Sequence, residues 1–448
     1  MSENPQGTVD GSAGGPAGGA ATHTAQPPPA GIGTRGLIVF YITSLIGAGV
    51  LGVPSVTASI AGPASLLSWA VLALASYPIA VLFAEMSARH VDASGISALV
   101  RSGLGHRAAD TANTLLVLVY TFGNPVMGII SARYFCHLTG VDEGWVMYLA
   151  IGFMLVSVGF NRLGITMGAR IQNAALVVLL ACLGGAVLLA VPSMSLERYE
   201  PFAPHGWAAV GTSSVVAFFS FLGWENVSSV AEEVRDPAHS FRRAIRFAVP
   251  VVGLIYVAVA AAYLAVDHGD GTVVLSALLG PDLGRLSGIL GDLIALMIVM
   301  VATNAWVLGA SRLSLAAARQ GLLPSWLART DPRTGAPGRM LLALAVGYTA
   351  VLATMGALDV NEDRIVVLTS AVFLLLYVAA AIAALRDRPT RAMRWSAWAT
   401  GAIALLFLPF TGSALPVAVL LALGAFLATG VLGRRRRQAA PLPSDEVK

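Results

Sequence analysis

Ile46-Gly47-Ala48-Gly49-Val50 lies inside the apolar run from Leu37 to Ile60, and Phe221-Leu222-Gly223-Trp224-Glu225-Asn226 lies inside the run from Trp207 to Val230. The two interruptions occupy matching places in their runs. Glycine weakens a helix, and unwound backbone is tolerated at bilayer depth only where it lines a cavity in the protein. The pair therefore predicts a buried solute site. Either glycine cluster taken singly is equally well read as close helix packing, a common use of glycine in membrane helices. Their matching positions weigh against packing as the whole account.

The rest of the composition agrees with a membrane setting: 56% of residues are hydrophobic, 12% are charged and the mean hydropathy is +0.75. Soluble domains carry about 25% charged residues. Long apolar runs predict twelve spans: Leu37 to Ile60, Ala64 to Ala84, Ala112 to Leu138, Trp145 to Phe160, Ile171 to Val191, Trp207 to Val230, Phe247 to Val266, Leu286 to Leu315, Met340 to Leu358, Ile365 to Leu385, Trp395 to Phe410 and Ala414 to Leu432. The fourth and eleventh are slightly under the usual spanning length of roughly 17 to 25 residues.

Arginines near span ends prefer the cytoplasmic side. The loops after even-numbered spans hold eighteen arginines, and the alternate loops hold three, Arg198, Arg285 and Arg364. This split predicts cytoplasmic termini and a cell-membrane location. It also accounts for the net charge of +4 without nucleic acid as a partner. Residues 1–34 read as a disordered cytoplasmic tail without a signal peptide, 35–432 as the membrane domain, and 433–448 as a second cytoplasmic tail. Arg434 to Arg437 form the basic flank of the last span. Twenty-seven arginines against one lysine, Lys448, suggest a GC-rich bacterial genome.

Enzymatic signals are weak. Cys136 and Cys182 sit in different spans with no metal-ligand spacing, and the seven histidines form no ligand set with acids or cysteines. No glycine loop ending in Lys-Ser or Lys-Thr exists, which argues against direct ATP coupling. No cofactor or metal is expected.

The breaks fall in spans 1 and 6, five spans apart. Five is odd, so a second five-helix unit enters the bilayer upside down relative to the first. The expected fold is thus an all-α integral membrane protein with a 5+5 inverted repeat, broken helices 1 and 6, and two further C-terminal helices. In such repeats the broken helices face each other near the midplane, where exposed N–H groups attract anions and exposed carbonyls attract cations. An α-amino acid supplies both charges.

Three stretches resemble the amino acid, polyamine and organocation superfamily of secondary transporters. Ser44-Leu45-Ile46-Gly47-Ala48-Gly49-Val50-Leu51-Gly52-Val53-Pro54 is similar to its first-helix motif. Phe219 to Glu225, with Ala231-Glu232-Glu233-Val234-Arg235-Asp236-Pro237 and Arg243-Ala244-Ile245, is similar to its sixth helix and following loop. Ala310-Ser311-Arg312-Leu313, Ala318 to Pro324 and Gly335-Ala336-Pro337 are similar to its eighth helix and loop. The resemblance implies that backbone around Ile46, Gly47, Ala48 and Gly49 holds a substrate carboxylate. Carbonyls near Phe219, Ser220, Phe221 and Gly223 would hold the amino group. It also implies a lid role for Phe219, and it matches Trp306 and Gly123-Asn124 to the arginine/agmatine antiporter branch. The Ser-Leu-Ile-Gly-Ala-Gly stretch and Tyr77-Pro78-Ile79-Ala80 look most like exporters of methionine and branched-chain amino acids. Three departures stand out: no span contains lysine, Arg242 replaces the usual proline after helix six, and Ala48 replaces a small hydroxyl residue.

Glu225 lies within the sixth-span break, where a buried carboxylate is costly unless paired, hydrated or protonated. It reads either as a carrier of a coupling proton or gate element, or as a structural acceptor for loose N–H groups. Asp292, some two turns inside span 8, reads as a water-facing vestibule residue. Glu85 is four residues before Arg89, the spacing of a helix ion pair. Arg133 reads as snorkelling to the outer surface. Glu232-Glu233 with Arg235, Arg242, Arg243 and Arg246 reads as a solvated loop cluster or a cytoplasmic gate. The expectation is a permease that works by alternating access on neutral or hydrophobic amino acids, coupled to a proton, sodium or a counter-substrate. The alternatives are cationic amino acid or polyamine exchange, a non-transporting sensor on the same scaffold, and, third, an intramembrane enzyme.

Overall fold

The computed structural model describes residues 32–90, 95–163, 169–267, 273–279 and 284–439. Both expected tails fall largely outside the described residues, as do His23 and His268, and the side chains of Glu232 and Glu233 are not described. The described chain is helical. Its elements are α1 (Thr34–Leu45), α2 (Ala48–Ala61), α3 (Ser65–Arg89), α4 (Ile96–Leu104), α5 (His106–Gly123), α6 (Pro125–Thr139), α7 (Val146–Arg162) and α8 (Ala169–Ala190), then α9 (Trp207–Phe218), α10 (Pro237–Ala265), α11 (Val274–Leu279), α12 (Gly284–Arg319), α13 (Gly338–Ala357), α14 (Glu362–Arg386), α15 (Arg391–Phe407) and α16 (Ala414–Ala439). One parallel bridge joins Ile32 to Val234, where the Arg235 N–H donates to the Ile32 carbonyl at 3.0 Å.

Among the described residues, ten helical stretches are long and apolar enough to cross a membrane. Expected spans 1 and 2 are not separated cleanly, because Gly49–Arg89 continues through a single tight turn at Gly62–Ala64 as one 41-residue stretch. The eleventh expected span is a 17-residue helix, Arg391–Phe407, with arginines in its first turn. Outward faces carry leucine and valine with no protein cover, among them Leu74, Leu188, Leu254 and Leu420. Exposed apolar surface on this scale belongs against lipid.

Local chemistry sets several boundaries. Pro237 opens α10 at the first helical turn, where its missing N–H costs nothing. Glu362 and Asp363 sit in the first turn of α14 and Arg386 in its last, each matched to the helix dipole. In the loop before α13, Asp331 accepts N–H bonds from Arg333 and Thr334 at 2.7 and 3.2 Å, which hold its carboxyl below the usual carboxylate range. The Ala336 carbonyl accepts from Asp331 N–H and closes that turn around Gly335-Ala336-Pro337.

Helices α1, α2, α3, α9 and α10 pack as one group, with α3 along α10, α1 against α10 and α2 against α9. Helices α5, α6, α7, α12 and α13 form a second, and α14 bridges α4, α15 and α16. The two broken segments thus become neighbours through α2 and α9.

Three charge readings need correction. Glu85 does not pair with Arg89: its carboxylate accepts from Arg242 Nε at 2.7 Å and Nη2 at 3.3 Å, and from Thr390 Oγ1 at 3.4 Å. Arg89 turns instead to the carbonyls of Asp387 and Arg388 at 3.0 and 3.1 Å. Tertiary neighbours outcompete the helical i, i+4 contact. Asp292 is buried rather than water-facing, bonded to His137 Nδ1 at 2.6 Å and to Ser276 on α11. Arg133 is fixed in an ion pair with Glu362 at 2.5 Å and is not simply reaching for the surface.

Arg242, where the sequence resemblance leads one to expect a proline, therefore ties α10 to α3. Arg242→Met should leave the buried Glu85 carboxylate short of its charged donor and lower stability by about 2 kcal/mol, the scale of a hydrogen bond to a charged group. A fall in the thermal unfolding midpoint in neutral detergent, partly recovered by adding Glu85→Gln, is the expected result. An unchanged midpoint would mean the pair contributes nothing net.

Candidate functional site

α1 ends when Ile46 turns to an extended conformation at φ −80°, ψ 100°, and α2 restarts at Ala48. Only Ile46 and Gly47 are non-helical, so the interruption is short and abrupt. The second break starts after α9: Phe219–Phe221 form one 3-10 turn, Leu222 is extended, and a looser 3-10 segment runs Trp224–Glu233. Gly223 between them has φ +133°, a backbone state that a side chain disfavours.

The two breaks meet. A Cβ placed on Gly49 would stand 2.8 Å from Ser220 Oγ and 3.1 Å from the Ser220 Cα, and one on Gly223 would stand 3.0 Å from the Ser44 carbonyl. Both glycines are required because backbone approaches backbone here. The Tyr256 hydroxyl on α10 lies 2.6 Å from the Leu45 carbonyl and 2.7 Å from the Ser220 carbonyl. Its one hydrogen is shared between a carbonyl from each break. Trp69 and Phe221 pack on the same tyrosine ring at centroid distances of 5.4 and 4.8 Å.

Glu225 is buried, and its Oε2 accepts from the Gly223 N–H at 3.0 Å and from the Tyr377 hydroxyl on α14 at 2.6 Å. The expected acceptor role for a loose N–H of the unwound segment is thus realised at one oxygen. The other oxygen, Oε1, is buried with no hydrogen-bond partner among the described residues. Ser220 Oγ is in the same condition, as are the hydroxyls of Thr369 and Ser370 on α14. Unpaired polar atoms at this density are unusual in a packed interior, where most such groups are satisfied.

Asn124 falls at the junction of α5 and α6, next to Gly123, which packs on Thr369 so closely that a Cβ would approach its Oγ1 to 2.9 Å. The Asn124 amide donates to the Tyr348 hydroxyl at 3.1 Å and to the Trp306 carbonyl at 3.4 Å. Asn124 and Trp306 are therefore brought together. Trp306 meets Tyr120 edge-on at 5.9 Å, and the ring contacts continue from Tyr120 through Phe373 to Tyr377, the partner of Glu225. Gly47 faces this wall, with Ala302 on α12 at 3.3 Å from where its Cβ would be. Phe219 is buried at the start of the second break. Ile46 and Phe221 are buried core residues, one on each break. Tyr256, Tyr377 and Thr369 carry no signal in the sequence, since aromatic and small hydroxyl residues within apolar runs are ordinary.

The described residues contain no group of acids, histidines and cysteines able to hold a metal. Paired helix interruptions meeting among stacked apolar helices, with unpartnered polar atoms buried beside them, define a multi-pass membrane protein. Residues 32–430 match the family described as "Amino acid permease", and the chain belongs to it. The chain is 28% identical to an uncharacterized amino acid permease, YecA, of Bacillus subtilis, over 79% of this chain and 84% of that protein. It is 24% identical to the L-methionine/branched-chain amino acid exporter YjeH of Escherichia coli, over 75% of this chain and 81% of the other. A third relative, cationic amino acid transporter 1 of Arabidopsis thaliana, is 23% identical over 77% of this chain and 61% of its own length.

Proposed function

We propose that the protein moves amino acids across the cell membrane by secondary-active alternating access, with neutral or hydrophobic amino acids as its substrates. The observation that carries this reading is the meeting of the two breaks around Tyr256, which brings a backbone carbonyl from each side to one hydroxyl. N–H groups at the start of α2 suit a carboxylate, and carbonyls at the Phe219–Phe221 turn suit an ammonium. Gly47, Ala48 and Gly49 would hold the former, Phe219, Ser220 and Gly223 the latter, with Trp306 and Asn124 bounding the side-chain end. The apolar neighbours of the breaks, Ile46 and Phe221, favour an uncharged side chain.

The same reading takes twelve spans in a 5+5 inverted arrangement, with α1–α2 and α9 onward as the equivalent broken members and both termini in the cytoplasm. The arginine asymmetry of eighteen to three supports that orientation. The group holding both breaks would rock against the remaining helices to open the site to either side.

Uptake of labelled leucine and methionine into vesicles carrying the purified protein, under imposed proton, sodium or counter-substrate gradients, tests the proposal. Saturable, gradient-driven flux is expected. Flat flux with every amino acid and amine under every gradient would sink it and favour a sensor. Cationic exchange is the second reading, because the Asn124–Trp306 pair that resembles the arginine/agmatine branch does come together. Faster exchange of arginine or agmatine than of leucine would select it.

Glu225→Gln separates the two roles of that carboxylate. The amide keeps an oxygen for Gly223 N–H and Tyr377, so the fold should survive. If the carboxylate carries the coupling proton, the variant's transport rate should lose most of its pH dependence. A profile identical to wild type would leave Glu225 a purely structural acceptor.

A further inference from the structure

The first three turns of α10 carry His239, Arg242, Arg243 and Arg246, spaced so that all four share one side of the helix. All four are exposed, and with Asp236 and Ala238 they line a surface cavity of about 640 Å³. Asp236 is the one acid lining it among the described residues. Arg242 already spends two donors on Glu85. The guanidiniums of Arg243 and Arg246 are left to face the cavity.

The next two turns of the helix decide which ligand suits these arginines. Phe247, Pro250, Val251 and Leu254 continue the same exposed side, while Ala244, Ala248, Val252 and Tyr256 are buried behind it. A cationic cavity therefore opens directly onto an uncovered apolar stripe, which reaches about 12 Å from Arg246 to Leu254 at helical rise. A soluble anion would use the upper part alone. An amphiphile with a negative headgroup and hydrocarbon tails uses both.

We propose that this surface is a binding site for one anionic phospholipid, its phosphate held by Arg243, Arg246 and His239 and its acyl chains lying on Phe247, Val251 and Leu254. Basic residues near a span end draw anionic lipid in general. Here the cavity and the stripe below it make the site particular. The headgroup would rest beside Arg242, hence next to the tie between α10 and α3.

The test uses the full chain purified in neutral detergent. Thermal unfolding is followed with added phosphatidylglycerol, phosphatidylcholine of the same chains, or inorganic phosphate. Phosphatidylglycerol is expected to raise the midpoint and phosphatidylcholine to leave it nearly unchanged. The R243Q/R246Q pair should lose at least half of the rise, and each single substitution a part of it, so the result does not hang on the double variant folding. R329Q/R333Q, which removes equal charge from the loop before α13, should keep the rise. Equal rises with both lipids, a full rise in R243Q/R246Q, or an equal loss in R329Q/R333Q would overturn the proposal. The same rise with inorganic phosphate would also overturn it, in favour of a soluble-anion site.

Discussion

Gly223→Ala should reduce amino acid uptake by at least about tenfold per unit of protein, the factor that 1.4 kcal/mol represents. The residue sits at φ +133°, where a side chain costs about 1–3 kcal/mol in backbone strain. The new Cβ would also stand 3.0 Å from the Ser44 carbonyl and 3.4 Å from Leu45 Cγ, both in the last turn of α1 just before the opposite break. To relieve this, the segment must rotate or withdraw, and either movement disturbs the N–H that Gly223 donates to Glu225. Gly184→Ala on α8 is the control, because nothing lies within 4 Å of its Cβ position. Wild-type uptake by Gly223→Ala would show that the shape of the second break does not matter for transport.

Tyr256→Phe is expected to have a comparable effect by removing a single oxygen. The ring should keep its place against Trp69 and Phe221, so packing is preserved. The Leu45 and Ser220 carbonyls lose their shared donor. An unsatisfied buried polar group costs about 1–3 kcal/mol. Apparent affinity or maximal rate should therefore fall by about ten- to a hundredfold, with a lower unfolding midpoint. Tyr77→Phe, at an exposed tyrosine stacked on Trp395, should change neither. If Tyr256→Phe transports and unfolds like wild type, the hydroxyl is not what joins the breaks.

How much of the fold and of the site is legible in the sequence depends on the range of the interaction. The breaks at Ile46-Gly47 and Leu222-Gly223 are legible because glycine in an apolar run is a local signal, repeated at equivalent positions. Their closure by Tyr256 is not: a tyrosine inside Phe247 to Val266 looks like any other amphipathic ring until the fold brings two distant carbonyls to its hydroxyl. Tyr377 is hidden from Glu225 in the same way. Helical spacing assigns Glu85 to Arg89, whereas its donor lies on α10, far along the chain. Depth in a span places Asp292 in a vestibule, a measure blind to His137 and to Ser276 on the short helix α11 packed beside it.

The lone hydrogen of Tyr256 has an electrical consequence. With two carbonyls to serve, it leaves both with spare lone pairs, so the meeting point is electronegative without a formal charge of its own. A zwitterion seated there adds no net charge to the membrane field, and transmembrane voltage does no work on it. Any dependence of transport on voltage would then count what accompanies the amino acid, together with the protonation of Glu225.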